Sequence, residues 1–178
     1  MLETLAGIAQ QVLLSTIPLF VAMDPVGALP FFLGLSQDMS PRERARVIRL
    51  ATLTGLGLGL GFLAVGQTVF ALLGITSASF LVAGGVILFI LAAGDILRGA
   101  SPSVEVHPQR DEYVGVVPLG TPLVVGPAVL APLLLLVQRY PIAVVVAAFA
   151  INLGLTWLVF AQASRIARAL GRAGLLAV

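Results

Sequence analysis

Apolar residues run through this chain in blocks rather than in alternation. Thr4 to Met23 is 20 residues without a charge, Leu50 to Gly94 is 45, Tyr113 to Gln138 is 26 and Tyr140 to Ser164 is 25. A helix needs about 20 apolar residues to cross ~30 Å of hydrocarbon. The second block therefore holds two crossings, divided at the turn-like cluster Gly74-Ile75-Thr76-Ser77-Ala78-Ser79. The pattern predicts five hydrophobic spans. Its continuity, with no period of two, predicts helices rather than a barrel. The first block has no basic leader and no small-residue cleavage site, so it reads as a span and not as a signal peptide. Ser40-Pro41-Arg42-Glu43 reads as an N-cap, a proline at the first helical position and an early acid, and starts the second span near Pro41.

Composition agrees. Of 178 residues, 59% are hydrophobic and 18 are charged, 10 basic and 8 acidic. A soluble domain of this length carries about 25% charged residues, or ~45. The mean hydropathy is +1.09. Disordered, fibrous and nucleic-acid-binding classes are excluded, because a net charge of +2 makes no basic patch. With no cysteine there is no disulfide, thiol redox centre or cysteine metal site. The basic residues are all arginine, and their placement predicts orientation. With the N-terminus outside, Arg42, Arg44, Arg46, Arg49, Arg98, Arg110, Arg165, Arg168 and Arg172 are cytoplasmic, and Arg139 alone is external.

Two segments break the rule for plain spanning helices. The run from Leu5 to Leu35 has 31 residues, which as one helix would reach ~46 Å. Within it, Asp24-Pro25-Val26-Gly27-Ala28-Leu29-Pro30 predicts a broken or re-entrant helix. Pro118 to Pro132 holds four prolines and two glycines in 15 residues. Pro25/Pro30 and Pro127/Pro132 repeat the same spacing, in spans of opposite direction. Interrupted helices at matching places in two antiparallel halves point to an inverted-repeat transporter. The alternative is a pair of kinks, since proline and glycine are common in membrane helices.

The same segments resemble the MarC family, also described as the neutral amino acid transporter family and related to amino-acid exporters of the LysE type. The likeness lies in Asp24-Pro25-Val26-Gly27-Ala28-Leu29-Pro30-Phe31-Phe32-Leu33, in Pro118 to Pro122 with Gly126-Pro127, and in Phe80 to Phe89 leading to Asp95-Ile96-Leu97. It implies a bacterial-type inner membrane protein of six helices with both ends outside, transporting small neutral amino acids. In two places the sequence departs from the family. Ala128 stands where a glycine usually follows Gly-Pro, narrowing close backbone approach. The chain also ends at Ala173–Val178, where a sixth helix should be running. The expected fold is an all-α, polytopic transmembrane helix bundle with inverted-topology repeats and two broken helices. Residues 1–98 form the first repeat, 99–112 a cytoplasmic linker, and 113–178 the second repeat with an apparently truncated sixth span.

The expected substrate site comprises Asp24, Pro25, Gly27, Pro30, Thr121, Pro122, Gly126, Pro127 and Asn152. A charge inside a span costs about 2.5 to 3.5 kcal/mol and is by default functional. Asp24 would bind a substrate ammonium or carry a proton; the structural reading, compatible with it, is a cap for freed backbone N–H groups. Asp95, three residues before Arg98, reads as an ion pair at the membrane edge. Gly55/Gly59 and Gly57/Gly61 lack the strand and lysine of a phosphate loop and read as helix-packing pairs, as does Gly84-Gly85. Gln67, Asn152, Thr156 and Gln162 read first as interhelical hydrogen-bonding groups, with Asn152 the best substrate candidate among them. His107 has no partner at metal-ligand spacing. The expected function is a secondary transporter or exporter of small neutral amino acids or similar metabolites. The alternatives are a passive channel or a non-transporting scaffold. Intramembrane aspartyl proteolysis by Asp24 and Asp95 is disfavoured, because no companion motif surrounds Asp24; the chain is read as a non-enzyme. The expected partners are a small-molecule substrate and the lipid bilayer, with no nucleic acid and a homo-oligomer left open. No catalytic residue, metal or cofactor is assigned, and the sequence does not say whether protons or sodium drive transport.

Overall fold

The computed structural model of the chain describes residues 2–98, 124–166 and 168. The expected linker 99–112, Thr121, Pro122, the truncated sixth span and the Asp95–Arg98 pairing of side chains lie outside the described residues. Regular structure among the described residues is helical: α1 Leu2–Met23, α2 Leu29–Leu35, α3 Pro41–Leu73, α4 Ser77–Arg98, α5 Pro127–Leu136 and α6 Ile142–Ala161. Among the described residues, three helices are long and apolar enough to cross a membrane, Ala6–Met23 of α1, α3 and α6. The protein is a helical membrane protein.

The helix ends follow local chemistry. At the start of α3, the Ser40 hydroxyl accepts from Glu43 N–H at 3.4 Å and the Glu43 carboxylate accepts from Ser40 N–H at 2.7 Å. This capping box satisfies two otherwise orphaned donors. At the far end Gly74 adopts φ 65°, and Ile75 N–H reaches back to Phe70 C=O at 2.9 Å. A left-handed glycine closing that 6→1 bond is how a Schellman motif ends a helix. Thr76 then accepts from Ser79 N–H at 3.0 Å as α4 begins. Phe62 and Phe70 of α3 pack with Phe80 of α4, with ring centroids 5.0–5.9 Å apart. The turn expected at Gly74–Ser79 is thus capped on both sides.

Side-chain contacts give the helices relative directions. Asn152 of α6 bonds Thr16 of α1, and Thr156 reaches Met23, so α1 and α6 run parallel. Gly55 of α3 lies against Leu153 and Gly59 against Phe149, while Arg44 bonds Ser164, so α3 runs antiparallel to both. A Cβ on Gly55 would sit 2.8 Å from Val125 and 3.4 Å from Leu153, and one on Gly66 would meet Leu134 at 3.5 Å. Hence α5 follows the direction of α3. The stacked rings of Phe32 and Phe160, 4.9 Å between centroids, fasten α2 to the last turn of α6.

Lipid offers no hydrophobic drive for helices to associate, so close approach and hydrogen bonds hold such bundles. The glycines show where approach is close. Gly55 and Gly59 are buried, and Gly59 leaves room for the fully buried ring of Phe149. The second pair departs from expectation. Gly57, Gly61 and Gly85 have no neighbouring atom within 4 Å of an added Cβ, and Gly84 has only Pro127, at 3.7 Å. In an α-helix, positions two apart point to different sides, so only one of the two overlapping glycine pairs can face α6. Gly57 and Gly61 instead line an apolar surface groove of about 350 Å³ with Phe62 and Val65.

Candidate functional site

The first proline–glycine segment begins where α1 stops at Met23. Asp24 has φ 40°, a left-handed conformation that aspartate tolerates because its short side chain can bond locally. Its Oδ1 accepts from Gly27 N–H at 3.0 Å, and its carbonyl accepts from Ala28 N–H at 3.0 Å. A Cβ on Gly27 would lie 2.8 Å from Asp24 Cγ, so the missing side chain makes room for the carboxylate to fold back. Pro25 is buried, and Pro30 lies in the first turn of α2, where a missing N–H costs nothing. The structure therefore shows the Asp24 carboxylate accepting one freed N–H, that of Gly27, in the turn ahead of α2, whose own N-cap Ala28 makes no side-chain bond. The carboxylate itself is exposed on the chain.

The second segment is described from Val124. Val124, Val125 and Gly126 are buried, and Pro127 opens α5. Gly126 occupies the N-cap with φ −122° and has no side chain to cap the first turn. Pro132 lies inside α5 and removes one internal N–H.

Helix α6 serves as a depth gauge, at 1.5 Å per residue. Asn152 stands near its midpoint. Thr16 lies level with Asn152, and Gly55 touches Leu153 and Val125 together, which brings the second segment to that same depth. Met23, beside Asp24, meets Thr156, about 6 Å further along. Both proline–glycine segments thus arrive near the middle of α6. From there α2 heads towards the Arg44 end, and α5 heads the other way.

Between α1 and α6 runs a buried polar seam. Asn152 is 1% exposed, and its Nδ2 donates to Thr16 C=O at 3.1 Å and to Ala148 C=O at 3.0 Å. Thr156 donates to Asn152 C=O at 2.9 Å and lies 3.9 Å from Met23 Sδ. One seam atom, Asn152 Oδ1, is buried without a hydrogen-bond partner, as is Ser15 Oγ elsewhere on α1. A buried polar atom without a partner costs about 1–3 kcal/mol. Such atoms mark a place where a ligand or water fits. Ser15 escaped the sequence reading; the adjacent Ser15-Thr16 pair in a lipid-length helix is the signal that could have found it. Among the described residues, no group of three His, Asp or Glu side chains could hold a metal ion. The rest of the expected set divides by depth. Asn152, Gly126 and Pro127 sit at the mid-level, while Asp24, Pro25, Gly27 and Pro30 lie one to two turns towards the Arg44 end.

A model of MarC family integral membrane proteins matches residues 9–178. The chain belongs to the MarC family. The UPF0056 inner membrane protein YhgN of Escherichia coli (strain K12) is 32% identical over 170 residues, 94% of this chain and 86% of that protein. A UPF0056 membrane protein of Pyrococcus abyssi is 32% identical over 160 residues, 88% of this chain and 79% of the relative. One from Methanocaldococcus jannaschii is 27% identical over 176 residues, 93% and 85% of the two chains. None of these names states a substrate. No solved structure matches this MarC chain significantly.

Proposed function

We propose that this MarC protein is a secondary transporter of small neutral amino acids or similar zwitterions in the inner membrane, with its N-terminus outside. The observation that carries this reading is the partnerless buried Asn152 Oδ1 in the α1–α6 seam; Ser15 Oγ of α1 is likewise buried without a partner. A zwitterion needs an acceptor for its ammonium and donors for its carboxylate. Asn152 Oδ1 is a free acceptor at mid-depth. The first turn of α5, whose N-cap glycine carries no capping side chain, lies at the same level, at the end of the helix that favours negative charge. Asp24, one to two turns away, supplies a carboxylate for a coupling proton or sodium ion. The antiparallel α3 and α6, each following a proline–glycine segment and a short helix, support two inverted repeats around a central site. The family resemblance supports the substrate class, and the name of the E. coli relative supports the membrane. The cytoplasmic side is the one bearing Arg42, Arg44, Arg46, Arg49, Arg165 and Arg168.

The deciding experiment is uptake of radiolabelled alanine, glycine and threonine into proteoliposomes. Saturable uptake should disappear in Asn152→Ala and lose its dependence on the ion gradient in Asp24→Asn. If wild type carries none of a broad amino-acid panel, the substrate class is wrong. Flux that rises linearly with concentration marks a passive channel instead.

A further inference from the structure

At the arginine-bearing end of the bundle two guanidinium groups converge on one serine. Arg44 of α3 donates from Nη1 to Ser164 Oγ at 2.9 Å and from Nε to Ser36 C=O at 3.0 Å. Arg168 donates from Nε to Ser164 C=O at 3.1 Å. Arg165 stands beside Ser164 in the same turn and is exposed. The oxygens that Arg44 and Arg168 bond are all neutral, so among the described residues both charges gather at Ser164 with no carboxylate bonded to either. Arg44 uses two of its five N–H donors in these bonds. Among the described contacts these oriented cations thus meet only neutral oxygens.

An apolar groove of about 300 Å³ runs away from these groups, between α3 and α6. Ile48, Phe32, Phe160 and Trp157 line it, with Arg44 and Ser164 at its end. Trp157 is 46% exposed. Depth then decides the occupant. Ser164 is 12 residues beyond Asn152, or ~18 Å along the helix. That exceeds the ~15 Å half-thickness of the hydrocarbon by a few ångströms. With Asn152 at the midplane, the guanidinium groups stand where lipid phosphates stand, and the groove opens into the acyl region below them.

We propose that the groove between α3 and α6 binds one anionic phospholipid, its phosphate held by Arg44 and Arg168 and an acyl chain lying along Ile48 and Trp157. The charge complementarity calls for an anionic headgroup, and the apolar continuation calls for a lipid rather than a free anion. A lipid here would brace α2, α3 and α6 through Ser36, Arg44 and Ser164, on the side of the bundle away from the external turn at Gly74. The site is independent of the transport reading, because it uses none of the residues assigned to substrate.

The test is thermal unfolding of delipidated full-length protein in detergent, titrated with phosphatidylglycerol, with phosphatidylcholine and with glycerol phosphate. Phosphatidylglycerol should raise the melting temperature saturably and above phosphatidylcholine, and glycerol phosphate should have little effect. At about 1 kcal/mol per basic contact, Arg44→Gln and Arg168→Gln should each weaken the apparent affinity about fivefold. Trp157→Ala should weaken it while leaving the preference for phosphatidylglycerol. Arg49→Gln, an exposed arginine on the same helix, should change nothing. Equal effects of the two lipids, an equal effect of glycerol phosphate, or an equal loss in Arg49→Gln would each overturn the proposal. If Arg44→Gln does not fold, Arg168→Gln decides alone, since it lies beyond the end of α6.

Discussion

At the residue scale, Asp24 combines a backbone role with a proposed chemical one, and substitutions can part them. Asparagine also tolerates the left-handed conformation and keeps an oxygen for Gly27 N–H. Asp24→Asn should therefore melt within about 0.5 kcal/mol of wild type, a surface-like change, while losing ion-coupled uptake. Asp24→Leu should cost ~1–2 kcal/mol, because φ 40° crowds a Cβ with no local bond to offset it. Thermal unfolding in detergent beside proteoliposome uptake checks both. Equal loss of stability in the two variants would mean that the charge, not the backbone, matters to the fold. The anomaly of Asp24 was plain in the sequence, as one charge in a run of apolar residues. Its conformation was not, because φ depends on where α1 stops. Ser15 was illegible for a similar reason. Which side of a lipid-facing helix is buried follows from its neighbours, and α1 is apolar on nearly all sides.

At the scale of elements, the start of α3 and the turn after it were readable from local chemistry alone. A capping box and an αL glycine act within a few residues, so their signals need no tertiary context. Ser40→Ala should cost ~1 kcal/mol of stability by removing the side-chain acceptor for Glu43 N–H, measured as a fall in melting temperature. The glycine ladder of α3 was only half readable. Its spacing announces close packing but not which of two overlapping pairs meets α6. Gly59→Ala should cost ~1–3 kcal/mol, because the new Cβ collides with the Phe149 ring. Gly57→Ala should be neutral or gain up to ~1 kcal/mol, since nothing approaches that position and alanine favours the helix. Similar losses in both variants would contradict the packing of α3 on α6.

For the molecule as a whole, the parallel pairing of α1 with α6 and the antiparallel course of α3 agree with alternating spans, but they leave the bundle free to be inverted. The proposed orientation rests on the arginine bias, and the chain invites a direct check because it has no cysteine. Ser79→Cys in the first turn of α4 and Asp38→Cys just before α3, beyond opposite ends of α3, place single thiols on exposed residues. An impermeant maleimide added to intact cells should label Ser79→Cys, and should label Asp38→Cys only after permeabilisation. The reverse pattern would place the N-terminus inside. The bundle was legible as a whole because its blocks are long. The arrival of the second proline–glycine segment at the depth of Asn152 was not, since it depends on contacts between residues as far apart as Gly55 and Val125.

The length of α3 has a consequence of its own. Its uncharged part, Leu50 to Leu73, is 24 residues, or ~36 Å. The spanning part of α1 is 18 residues and α6 is 20, close to ~27 and ~30 Å. A bilayer core of ~30 Å suits the two shorter helices upright, whereas the unbroken longer one has to lean. Its two capped ends prevent it from shortening by fraying. Thickness of the host lipid then becomes a mechanical input. Thinner membranes should tip α3 further and slide the Gly74 turn, with the start of α4, sideways over a nearly stationary α1–α6 pair.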